Sequence, residues 1–356
     1  MSLVSISCAI SGVYLVPFDQ DCSVPRQLAK LLRLLNNSKC PRLYLLRQIL
    51  RIIVDIKLAK PSDFVIHHTK LSNDPQDVGS LRRRKPKEFP GQWSGHPLSY
   101  ADPNAFRAYF QPLLDKLNAA GVRLAAFELG NELNSSAFNS EFPLPGQGRM
   151  FGLEDLSRDP EAKQIAAGYL QYLKVLAALR DIRNHSKVNN RTPVLTAGFA
   201  VYEGPEGPVR GARTDSVSVN ATLDFLRAHG VDKLVDAYAV HVYPWSSNPG
   251  DPSAAAARRD RLAKYVLGKC HRAGTPDGKP CWITEWGFKN TSTNCPVDDR
   301  VGVQLVEEMR NNFAPYVRER KLLGLIYYAW IDEAEHYGIY RCDGLMESGR
   351  LAIAPM

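Results

Sequence analysis

From residue 97 to the end, two hydrophobic rhythms alternate along the chain. Asp102-Pro103 opens a stretch to Ala120 in which Phe106, Tyr109, Phe110, Leu113, Leu114 and Leu117 recur at helical spacing, and Gly121 closes it. Val122–Leu129 is then a nearly continuous apolar run, the form of a strand buried on both faces. The pairing repeats. Helix Ala162–Arg183 precedes strand Pro193–Phe199, and helix Val217–Ala228, closed by Gly230, precedes strand Val235–Val242. Helix Ser253–Arg272 leads to strand Pro280–Thr284, and helix Val301–Lys321 to strand Leu323–Trp330. Five strands, each entered from a helix, predict a parallel sheet and the α/β class. Taken as strands 4 to 8 of a (β/α)8 TIM barrel, they leave three strands to be supplied by residues 1–95. Between the first strand and the second helix, residues 134–159 form a loop rich in Pro and Gly, long enough to shape a cleft.

The N-terminal quarter has a different texture. Its strand candidates are Val4–Val16, a segment within Leu43–Lys57, and Phe64–His67. Residues 41–60, however, place Leu43, Leu46, Leu50 and Ile53 on one helical face, with Arg47, Arg51 and Asp55 elsewhere. The expected organisation is therefore an atypical basic segment, 1–95, supplying strands 1–3, and the remainder of the barrel over 96–356.

Charge sharpens that division. The net charge is +8, and residues 1–95 hold 15 Lys and Arg against 7 Asp and Glu, so the whole excess lies there. It peaks at Leu81-Arg-Arg-Arg-Lys-Pro-Lys87. Such a cluster can attract a polyanion, but no nucleic-acid fold signature accompanies it. It reads as a solvated loop, and no nucleic-acid partner is expected. At 356 residues and 44% hydrophobic, the chain can bury a large core, which excludes a disordered, collagenous or small disulfide-scaffold class. No run of eighteen apolar residues occurs, so no membrane-spanning helix is expected. Met1 to Pro17 has no Lys or Arg ahead of its apolar run and makes a poor signal peptide. The expected location is cytoplasmic as written, or secreted or periplasmic if the true start differs. Seven cysteines show no CxxC pair and no metal-ligand spacing. Cys295 and Cys342 follow the last two predicted strands, where a bridge or two free thiols are both open.

The chemistry-bearing residues fall at strand ends. Phe127-Glu-Leu-Gly-Asn-Glu-Leu-Asn134 and Cys281-Trp-Ile-Thr-Glu-Trp-Gly287 are strand-like runs that stop at Glu132 and Glu285, 153 residues apart. A carboxylate at the end of a buried strand is costly unless hydrogen-bonded or used. In a parallel barrel, the C-terminal strand ends converge over the mouth. His241, Tyr243 and Trp330 occupy such positions too, and His241 and Tyr243, two apart on one strand, point the same way. Trp330 offers a flat apolar face. Trp93, His96, Trp245 and Trp286 are peripheral candidates, with rim packing the plainer reading. Glu128, inside the strand, is expected to be structural.

The Asn131-Glu132 pair, the Glu285 of Ile-Thr-Glu-Trp-Gly and the His-Val-Tyr between them resemble clan A of the glycoside hydrolases, over residues 97–356. Leu129-Gly-Asn-Glu-Leu-Asn134 looks most like the heparanase and β-glucuronidase branch. Thr284-Glu-Trp-Gly287 and Tyr328-Ala-Trp330 look more like families 5 and 39. The resemblance implies a retaining enzyme on a (β/α)8 barrel, with Glu132 as acid/base, Glu285 as nucleophile and Asn131, His241, Tyr243 and Trp330 contacting substrate. Physical logic agrees with those roles. Glu285 must stay ionised and needs donors, Tyr243 above all, whereas Glu132 must deliver a proton and later take one back. The expected partner is a β-linked carbohydrate, and neither a metal nor an organic cofactor is expected. The family's arginine at the end of strand 2 has no clear counterpart, although Arg42, Arg47 and Arg51 are available. A catalytically silent carbohydrate-binding barrel is the alternative reading.

Overall fold

The computed structural model describes residues 97–119, 121–143, 146–201, 215–243, 252–290, 295–330 and 336–356. The whole basic segment 1–95, with its candidate strands, arginines and Trp93, lies outside the described residues, as do His96 and Trp245.

Helix α1 (Pro103–Ala119) buries Phe106, Phe110, Leu114 and Leu117. Asp102 Oδ1 accepts the Asn104 amide at its start, and Gly121 turns the chain at φ 69° at its end. Strand β1 (Phe127–Glu128) is much shorter than the apolar run around it. The first half of that run is tied elsewhere, because Val122 N–H donates to Leu117 O and Leu124 N–H donates to the Asn189 side chain. A long connection follows, containing β2 (Met150–Phe151), the single turn α2 (Asp155–Arg158) and helix α3 (Pro160–Asn184). Helix α3 starts at Asp159, whose carboxylate accepts the amides of Glu161 and Ala162, with Pro160 at the first helical position.

Strand β3 (Val194–Ala200) is buried along its full length. The short β4 (Ser216–Val217) pairs with β2, and helix α4 (Val219–Ala228), capped by Ser218, leads to β5 (Ala237–Val242). Helix α5 (Pro252–Arg261) passes into a π-helical turn at Leu262–Val266, six residues short of the predicted end at Arg272. From there the chain is directed to a disulfide between Cys270 and Cys281, the first residue of β6 (Cys281–Trp286). Helix α6 (Arg300–Arg318) and strand β7 (Leu322–Tyr327) follow. A hairpin of β8 (Tyr340–Arg341) and β9 (Gly344–Leu345) and the short helix α7 (Glu347–Ile353) close the chain.

Strands β1, β3, β5, β6 and β7 form one parallel sheet in that order, neighbours in sequence being neighbours in space. This is the wall of half a (β/α)8 barrel, with helices as the crossovers. The core between sheet and helices is continuous; Trp286 lies fully inside it, edge-on to Tyr327 and Phe313. No helix among the described residues is long and apolar enough to cross a membrane. The second disulfide joins Cys295 and Cys342.

Candidate active site

At the C-terminal edge of this sheet three strands deliver their ends to one point. Register places His241 of β5 directly opposite Glu285 of β6. A register shift between Val240 and His241 marks where the ladder opens toward the site. Glu132 reaches the same point from beyond β1. Its backbone is left-handed, φ 44°, an uncommon conformation for a residue with a side chain. It is held there because Glu132 N–H donates to Gly198 O at 2.7 Å and its own carbonyl accepts the Ser135 amide. Asn131, half-buried, bridges to Gly198 as well.

The side chains form one linked group. His241 Nδ1 lies 3.0 Å from Glu132 Oε1 and 3.5 Å from Glu285 Oε2. Tyr243 Oη donates to Glu285 Oε2 at 2.6 Å. One ligand atom each from Glu132, His241 and Glu285 lie within 4.8 Å of one another. Burial of His241 opposes its charge. The Glu285 charge and the carboxylates of Glu128 and Glu132 outweigh that effect and push its pKa up to about 10. Tyr243 is pushed up by burial and then by the Glu285 charge, so its hydroxyl stays protonated and donates. A protonated imidazole donates Nδ1–H to Glu132 and carries the charge that faces Glu285.

His241, expected as a sugar contact, is only 1% exposed. Its Nδ1 faces both carboxylates and its Nε2 side packs on Gly198 of β3, so the ring is enclosed by the neighbouring strands. Trp330, expected as an open platform, is 8% exposed and stacks on Tyr340 at 5.6 Å, because the segment past β7 folds back along the hairpin. The rings that meet Tyr243 edge-on are Tyr328 and Tyr337, 6.2 and 5.4 Å away. Lys289 stands over Tyr337. Trp286, a peripheral candidate, is core.

Two residues that sequence reasoning passed over organise the group. Asn134 is fully buried: its amide donates to Ala200 O and Val217 O and its oxygen accepts Ala200 N–H, clamping the chain after Glu132 to the ends of β3 and β4. Gly198 packs its Cα against the His241 ring so closely that a Cβ there would stand 1.9 Å from Nε2. A polar side chain two residues after Glu132 was the available signal for Asn134; nothing local marks Gly198.

No family model and no curated protein sequence matches the chain. Similar solved structures include a fungal β-1,4-galactanase (14% identity, TM-score 0.44, covering 74% of this chain and 70% of that one). Another is a family 128 endo-β-1,3-glucanase from Sorangium cellulosum (14%, TM-score 0.40, 69% and 76%). A third is a family 5 broad-specificity endoglucanase from an uncultured bacterium (13%, TM-score 0.40, 70% and 60%). At this distance the likeness carries no chemistry; that has to come from the residues themselves.

Proposed function

We propose that the chain is a glycoside hydrolase that cleaves β-linked carbohydrate with retention, Glu132 serving as acid/base and Glu285 as nucleophile. The observation that carries the reading is the meeting of two strand-end carboxylates within 4.8 Å, with a tyrosine hydroxyl committed to only one of them. Retaining enzymes hold their carboxyl groups about 5–5.5 Å apart, whereas inverting enzymes leave about 6.5–9.5 Å for a water between them. One oxygen from each carboxylate lies within 4.8 Å of one from the other, which favours the first.

In the first step Glu285 attacks the anomeric carbon, held in line by the Tyr243 hydroxyl on its second oxygen. The glycosidic bond breaks as Glu132 protonates the departing oxygen. The glycosyl ester removes the charge of Glu285. Glu132, now ionised, takes a proton from water, which attacks the same carbon and frees Glu285. Asn131, adjacent to Glu132, is the candidate donor to the sugar 2-hydroxyl, and Trp330 with Tyr340 the candidate apolar wall. The two disulfides suit an oxidising compartment, which favours secretion over the cytoplasm.

Mass spectrometry after incubation with a panel of 2-fluoro β-glycosides tests the mechanism. A glycosyl adduct on Glu285 is expected. Turnover of aryl β-glycosides by Glu285→Ala at the wild-type rate would overturn it.

A further inference from the structure

The clustering of a third carboxylate on the far side of His241 is not explained by a two-glutamate mechanism. Glu128 lies in β1, four residues before Glu132, yet its side chain reaches the same imidazole. Its Oε1 stands 3.8 Å from His241 Nε2 and accepts Gly198 N–H at 3.0 Å. The second contact has a backbone cause: the pairing of β3 with β5 shifts register between Leu195 and Gly198, and the Gly198 amide turns to a side chain of β1. Gly198 thus binds Glu128 with its N–H, receives Glu132 N–H on its carbonyl, and leaves the space in which the His241 ring sits.

On the assignment of Glu132 and Glu285 as the reacting pair, we propose that Glu128 is a positioning residue that acts through His241. Nε2 has no hydrogen-bond partner among the described residues, and Glu128, at ion-pair distance, is the negative charge that faces it. The ring therefore remains a cation whose Nδ1 bridges Glu132 and Glu285. The need is electrostatic. Glu285 is ionised in the resting enzyme, and Glu132 becomes so once it has given up its proton. Two carboxylates this close in a largely buried site then repel, and the ring between them is the compensating charge. The groups facing His241 are Glu128 from β1, Glu132 beyond it, and Glu285 from β6, with Tyr243 from the end of β5 on Glu285. Tyr172 of α3 is near as well, its hydroxyl accepting Ala197 N–H and sensing the Glu128 charge. His241 is the cation among them. If Glu128 loses its charge, the ring gives up its proton at lower pH, the bridge weakens, and the glutamates lose their spacing.

The test uses the full chain with isotopically labelled histidine, the His241 ring signal being identified by its loss in His241→Asn. In Glu128→Gln, that signal is expected to titrate about one pH unit or more below wild type, the scale of one close charge pair. The alkaline limb of kcat/KM is expected to move down with it, and kcat to fall more than KM rises. Glu128→Asp keeps the charge one methylene further away and should show a smaller shift in the same direction; it also serves if Glu128→Gln does not fold. An unmoved His241 titration in the folded variants overturns the proposal. So does a lowered Tm with an unchanged pH profile, since that is what a purely structural bond to Gly198 would give. Absence of turnover in the wild type would instead remove the hydrolase reading, and the ring titration would still decide the link between Glu128 and His241.

Discussion

Glu132 and Glu285 arrive at one point from two unlike stretches of backbone. Glu285 lies within a six-residue strand whose flanks are paired on both sides, so the pleat itself aims the side chain. Glu132 stands four residues past the two-residue β1 in a left-handed conformation, fixed by contacts with β3 and by the clamp of Asn134. A ladder positions a residue by local repetition and tolerates changes nearby. A residue on irregular backbone depends on a few specific groups far away in sequence, and those groups become part of the site.

The comparison can be broken at each end. Glu285→Ala is expected to lower kcat on the order of 10⁴-fold while leaving the thermal transition in place; measurable turnover near wild type would show that the strand-held glutamate is not the nucleophile. Gly198→Ala puts a methyl into the His241 ring and is expected to cost about 3 kcal/mol in denaturant unfolding. Its activity should vanish through Glu132, whereas the sheet around Glu285 should persist. Tyr243→Phe removes the donor to Glu285 and should lower kcat about 10²-fold with KM and Tm nearly unchanged. Asn134→Ala strips three hydrogen bonds from the clamp and should cost about 2 kcal/mol, with kcat falling because Glu132 is released. The gentlest test is alkaline pH. Folded His241 keeps its proton up to about pH 10, whereas the unfolded residue releases it near 6.5. Its contribution to stability is therefore complete below about pH 6.5 and is lost as pH rises toward 10, by at most about 1.4 kcal/mol per pH unit. Flat stability through that window would show that the ring is not held as a cation.

Much of this was legible in the sequence, because buried parallel strands are runs of apolar residues and their crossovers are amphipathic helices. The five strands and five long helices fall in the predicted order, most within a few residues of where those rhythms place them; β1 and the end of α5 are the exceptions. The ends of the runs misled wherever a non-local bond captured the backbone. Val122 to Leu124 belong to a helix end and to Asn189, not to β1, and the residues after Tyr327 pair with the segment 337–340. At the site, the two glutamates and Tyr243 were visible as polar residues ending apolar strands. The inward turn of His241 was not, since alternation assigns a face and cannot say what covers it. Glu128 and Gly198 were invisible for a related reason: their partnership arises from a register shift, and a shift leaves no mark in the hydrophobic pattern. The Cys295–Cys342 bridge was one of two open options, and the bridge from Cys270 to Cys281 went unforeseen because the predicted helix ran across it.

The bond between Cys295 and Cys342 encloses α6 and β7 in a single covalent ring, beginning just past the strand of Glu285 and ending in the terminal hairpin. A protease that nicks this ring once opens it without releasing a fragment. The cut chain would travel as one species on a non-reducing gel and as two after reduction, and an adduct carried by Glu285 would go with the larger, N-terminal piece. In an environment rich in proteases, the strand that borders the nucleophile therefore stays tethered to the molecule after the first cut.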